Sequence, residues 1–129
     1  MTHDQEVQVL ARQTALTLRS EFGEELPSAV DEILDPSPER EEIYDLAIIL
    51  AAAALVVACA QLLVQILDRE RKSTKGKTDR EAIRIEIIEK IQIEHVEEVK
   101  LVPDIERIVD ESITNKGITA DPAAHRPPD

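Results

Sequence analysis

The stretch Leu46–Leu67, LAIILAAAALVVACAQLLVQIL, decides what kind of chain this is. Only Gln61 and Gln65 interrupt its apolar character. About 20 helical residues cross the hydrocarbon layer of a bilayer, so the run reads as one helix and as a transmembrane candidate. It starts too far into the chain, behind too acidic a lead-in, to be a secretory signal. A buried core helix in a water-soluble domain has the same composition, and the residues leave both readings open.

The flanks extend the helix in both directions. Ser37 suits an N-cap and Pro38 a first helical position, with Glu39, Glu41 and Glu42 at the positive end of the helix dipole. Arg69, Arg71 and Lys72 suit the negative end, which predicts a helix over about 38–72. Within it Ala47, Ala51, Ala54, Ala58, Gln61 and Gln65 recur at alternating steps of four and three and share one face. In a bilayer that stripe is a seam for self-association or a partner helix, because small residues let backbones approach. In water it is the weakly polar exposed side, and Ile48, Ile49, Leu55, Val56, Leu62, Leu63 and Ile66 face the core.

A basic collar follows the helix: Arg69, Arg71, Lys72, Lys75, Lys77 and Arg80. By the positive-inside rule it predicts a single pass through the cell membrane with the C-terminal side cytoplasmic. Anionic lipid headgroups would suit the collar as partners. The plainer reading is that it balances a helix end and acidic neighbours in a cytoplasmic protein.

Beyond the collar, Ile83, Ile85 and Ile87 alternate with Arg84 and Glu86, and Ile91, Ile93 and His95 alternate with Gln92 and Glu94. Alternation of β-branched residues predicts a β-hairpin over about 82–97. A helix is the rival, since Ile83, Ile87, Ile88 and Ile91 also share a helical face, and Glu89-Lys90 lacks the chemistry of a tight turn. Pro103 then marks a helix carrying Ile105, Ile108, Val109 and Ile113, closed by Asn115 to Gly117. At the other end Asp4–Ser20 reads as mostly helix with an optional strand at 6–10. Phe22-Gly23 is a break, and Pro27 opens a short helix with Val30, Ile33 and Leu34 on its apolar side.

These pieces predict an α+β, mainly helical fold. Residues 1–36 form an acidic helical arm, 37–72 the long apolar helix, 73–80 a basic loop, 81–117 a hairpin plus helix, and 118–129 a disordered tail. The hairpin offers too few apolar residues to cover a helix of that length, which predicts that another chain, another helix or lipid covers the rest.

Composition narrows function mainly by exclusion. The 129 residues carry 15 Lys plus Arg against 27 Asp plus Glu, a net charge of -12. That balance opposes nucleic acid as a partner. Phe22 and Tyr44 are the only aromatic residues, so stacking platforms for single strands are missing too. One cysteine, Cys59, excludes an intrachain disulfide. Gly76-Lys77-Thr78 imitates the end of a P-loop, but Arg71 stands where its first glycine belongs. His3, His95 and His125 are far apart, and no catalytic, cofactor-binding or metal-ligating set emerges. The chain reads as a non-enzyme.

An apolar, small-residue-rich helix ending in basic residues (ILAAAALVVACAQLLVQILDRERK) precedes two alternating segments (AIRIEI, IQIEHV). A short helix opened before a proline (EEVKLVPDIERIVDES) follows them. Over about 43–113 this order resembles the effector-associated constant component family of bacterial conflict systems. The resemblance implies an adaptor-like accessory working beside effectors such as peptidases or nucleotide-dependent switches, and it transfers no site residues. The resulting expectation is a membrane-associated adaptor coupling to an effector. The alternatives are a soluble α+β interaction module with the apolar helix buried, and a small membrane-active oligomer.

Overall fold

The computed structural model describes residues 2–36, 47–72 and 80–117. Among them are six helices in chain order: α1 (His3–Phe22), α2 (Leu26–Leu34), α3 (Ala47–Lys72), α4 (Arg80–Glu94), α5 (Val96–Leu101) and α6 (Ile105–Asn115). Helices account for 88% of the described residues and there is no strand among them. The fold is an all-helical bundle, which corrects the α+β expectation.

The apolar run is the axis of that bundle. α3, 26 residues and about 39 Å long, packs against each of the other five helices. Leu55, Val56, Leu63, Val64 and Ile66 are buried in one continuous core with Leu10 and Leu18 of α1, Val30 of α2, Ile87 of α4 and Ile108 of α6. The missing cover was therefore another helix, supplied several times over by the same chain. The N-cap and first turn expected at 37–46 lie outside the described residues, as do most of the basic loop and the tail.

Where the hairpin was expected, α4 and α5 stand instead. Ile83, Ile87 and Ile91, spaced by four, are 3%, 0% and 0% exposed, whereas Ile85 and Ile93 are 47% and 76% exposed. The helical face thus prevails over the alternating one. β-branched residues lower helix stability by up to about 0.7 kcal/mol each. Burying one Ile against α3 and α6 returns about 1.5–3 kcal/mol. The only interruption is at His95, between α4 and α5, rather than at Glu89-Lys90.

The outer helices follow their local signals more closely. α1 opens with a capping box: Gln5 N–H donates to Thr2 Oγ1 at 3.2 Å, and Thr2 N–H donates to Gln5 Oε1 at 2.9 Å. That cap commits 6–10 to helix and removes the optional strand. Pro27 sits in the first turn of α2, where its missing N–H costs nothing. Ile105, Ile108, Val109 and Ile113 line the buried side of α6 as their spacing predicts. Gly117, at φ 90°, follows the C-cap Lys116.

Gly23 ends α1 at φ 124°, and a Cβ there would stand 3.0 Å from Ile49 Cδ1 of α3. Gly23→Ala therefore combines a disfavoured backbone with a tight contact, and we expect a loss of about 1–2 kcal/mol in urea unfolding. An unchanged midpoint would show that the α1–α2 turn relaxes freely.

Candidate functional site

The six residues of the small and polar stripe behave as two groups on one line of α3. Ala47 is exposed, Ala51 buried and Ala54 half-buried; Ala58 is buried, and Gln61 and Gln65 are exposed. Cover along this line is uneven, open near its two ends and closed at Ala58. The stripe is therefore mixed in exposure, with Ala51 and Ala58 closed over at 5% and 4%, while Ile48, off the stripe, is 48% exposed.

At the N-terminal half of α3 the line opens into a groove of about 250 Å³. Ala47, Ala51 and Ala54 form its floor, Leu50 and Leu101 its apolar walls, and Glu97 and Glu98 of α5 its rim. Leu50 and Leu101 are 44% and 45% exposed, although both are large and aliphatic. The rim charges are held locally: Lys100 Nζ lies 3.5 Å from Glu97 Oε1, and His95 Nδ1 lies 3.9 Å from Glu98 Oε1. α5 was invisible to the hairpin reading, which placed Glu97 at the end of the hairpin and Glu98 just beyond it. The signal that finds it is the helical spacing of Val96, Val99 and Lys100 after a single break at His95.

At the other half, Gln61 and Gln65 face a cavity of about 470 Å³ between α1, α2 and α3. Val7, Ile33, Leu34 and Val57 supply its apolar lining; His3, Asp4 and Gln8 complete the polar side. The volume is within the range of about 300–1,000 Å³ common for ligand pockets. Its polar side chains, however, face solvent, with only Gln8 half-buried, so the arrangement is an open polar cleft. Sequence spacing had no means of joining the start of α1 to the end of α3.

Of the basic collar, Arg69 and Arg80 can be placed. Arg69 Nη1 and Nη2 donate to the two carboxylate oxygens of Glu86 on α4 at 3.1 and 3.0 Å. Arg80 Nη2 donates to Thr114 Oγ1 of α6 at 3.1 Å. Both tie neighbouring helices together, so these two serve the fold. The side chains of Arg71, Lys72, Lys75 and Lys77 lie outside the described residues.

Further ionic ties run round the bundle. Arg107 of α6 donates from Nη2 to Glu21 Oε1 of α1 and from Nη1 to Glu111 Oε2, both at 2.7 Å. Arg84 Nε donates to Asp110 Oδ1 at 2.7 Å. Asn115 Nδ2 donates to Thr14 Oγ1 at 3.2 Å and Thr17 Oγ1 at 3.3 Å, joining the ends of α6 and α1. The Arg107 hydrogen bond holds the Glu21 carboxyl below the usual carboxylate range, and Arg69 does the same for Glu86. A carboxyl whose folded pKa is depressed contributes stability above its unfolded pKa, and that contribution is lost as pH falls through the folded value. Urea midpoints should therefore fall below about pH 4.3, and Glu21→Gln should flatten that fall while lowering the neutral-pH midpoint. Identical pH profiles for the two proteins would contradict the role given to this tie.

Cys59 is fully buried at the centre of α3, where a thiol is inert. Among the described residues no group of three or more His, Cys, Asp or Glu is placed to hold a metal ion. One described helix, Ala47–Arg69, is long and apolar enough to cross a membrane, and 67% of its apolar window is buried inside the bundle. Set against family models, curated proteins and solved structures, the chain finds no match in any of the three.

Proposed function

We propose that the chain is a non-enzymatic interaction module, an adaptor whose apolar helix is the core of a water-soluble bundle and whose open stripe receives a protein partner. The observation that carries this reading is the uneven cover of α3. Leu55, Val56, Leu63 and Ile66 are sealed by the surrounding helices, while Ala47, Leu50 and Ala54 at one end and Gln61 and Gln65 at the other stay accessible, with Ala58 buried between them. A bundle with such openings beside its central helix can take a partner's helix there without rearranging its core.

The family resemblance supports the adaptor role and an effector as the partner. The two strands it implies are replaced by α4 and α5, so the role is taken from it and the architecture is not.

Photoreactive residues at Leu50, Gln61 and, as a control, Ser20 test the reading in the native cell. Discrete adducts with a protein from the first two positions and not from Ser20 support it. The same adduct pattern at all three positions would contradict it.

The length and apolarity of Ala47–Arg69 favour a second reading, in which the chain is a single-pass membrane protein with its C-terminal side cytoplasmic. It requires the sheath of helices to leave α3, exposing the core faces of α1 and α6 to water. The stripe would then be the helix–helix seam, including that of a membrane-active oligomer.

A further inference from the structure

We infer that the groove between α3 and α5 receives a basic amphipathic helix, bound by apolar side chains one turn apart and flanked by Lys or Arg. This inference rests on the interaction-module reading and names the chemistry of its partner.

Shape indicates a helix. The groove floor runs from Ala47 to Ala54, about 10 Å along α3, which accommodates two side chains one helical turn apart. Its volume, about 250 Å³, is below the range of about 300–1,000 Å³ typical of small-molecule sites. Alanines on the floor let an incoming backbone approach closely, and Leu50 and Leu101 meet its apolar side chains from the walls. No strand edge is present among the described residues for an extended peptide to join.

Charge selects which helix. Glu97 and Glu98 stand on the rim, and Glu94, the exposed last residue of α4, lies just before the break at His95. Lys100, which pairs with Glu97, is the one basic residue of α5, so the carboxylates remain in excess. A partner with Lys or Arg beside its apolar pair meets this field favourably, and its association is faster at low salt. A second copy of this chain does not suit the site. A two-fold interface brings two acidic rims together, between molecules each carrying -12. An anionic bilayer is repelled by the same rim.

The test uses the full chain and two fluorescein-labelled helical peptides with Leu at positions i and i+4, one flanked by Lys and its twin by Glu. Anisotropy should show the Lys peptide binding the wild type and the Glu peptide binding at least about tenfold more weakly. Leu50→Gln, at an exposed position, should keep the thermal melt and weaken the Lys peptide by about tenfold or more. The double reversal Glu97→Lys/Glu98→Lys should exchange the order of the two peptides. Equal binding of the twins, no binding of the Lys peptide, or indifference to Leu50→Gln would overturn the inference. So would dimerisation of the wild type that Leu50→Gln abolishes, which would assign the groove to a second copy. Failure of the peptides alongside discrete protein adducts at Leu50 in the cell would overturn only the basic-helix partner and leave the interaction module standing.

Discussion

Leu63→Ala should destabilise the purified protein by about 2–5 kcal/mol, the cost of removing a buried leucine and leaving part of the space empty. Leu63 is fully buried near the middle of α3, within the core shared by the surrounding helices. A leucine facing lipid would behave differently. Its truncation would leave detergent-free stability unaffected, because there would be no water-soluble fold to weaken. The size of the effect therefore discriminates between the two environments of the apolar run. Chemical unfolding followed by circular dichroism measures it. A shift below about 0.5 kcal/mol would show that Leu63 is not packed as described. Leu62, one position earlier but half-buried, supplies the internal control: Leu62→Ala should cost clearly less.

Enlarging the alanines of α3 should separate those that serve the core from those that serve the open line. Ala52 and Ala53 are fully buried and Ala60 nearly so, which means that neighbouring helices approach the backbone of α3 closely there. Ala53→Leu inserts three carbons where no space remains, and a loss of about 1–3 kcal/mol is expected. Ala54, the next residue, is half-buried and opens into the groove, so Ala54→Leu should be tolerated within about 0.5 kcal/mol. The same Ala54→Leu change fills the groove floor and should reduce helix binding. Thermal melts of the two variants provide the comparison. Equal losses at both positions would mean that the stripe is as closely packed as the core, contrary to its placement.

The contrast between Ala53 and Ala54 also explains what the sequence could and could not reveal. Periodicity located the weakly polar line of α3, because alternating steps of four and three are local. It also located the buried face of α6 and the helices of the N-terminal arm, where the capping box of Thr2 and Gln5, Gly23 and Pro27 act within a few residues. It failed at 82–97 because Ile83, Ile87 and Ile91, spaced by four, satisfy two periods at once. What decides between those periods is the set of faces already present on α3 and α6, and no window of sequence contains that set. The same limit applied to the site. The floor of the groove was legible as Ala47, Ala51 and Ala54, whereas its rim at Glu97 and Glu98 and its wall at Leu101 depended on α5 folding back along α3. The charge contrast along the chain was legible as well, whereas the bonds of Arg69 to Glu86 and of Arg80 to Thr114 join residues far apart in sequence.

The central claim is that the apolar run is the core of a water-soluble bundle, and amide hydrogen exchange of α3 tests it most directly. The protein would be expressed without detergent, extracted in carbonate, and its soluble fraction exchanged in dilute buffer. The account predicts that the chain is released and that amides from about Ala52 to Val64 are the slowest to exchange, opening only with global unfolding. Retention in the membrane pellet, with those amides protected only in detergent or lipid, would contradict it.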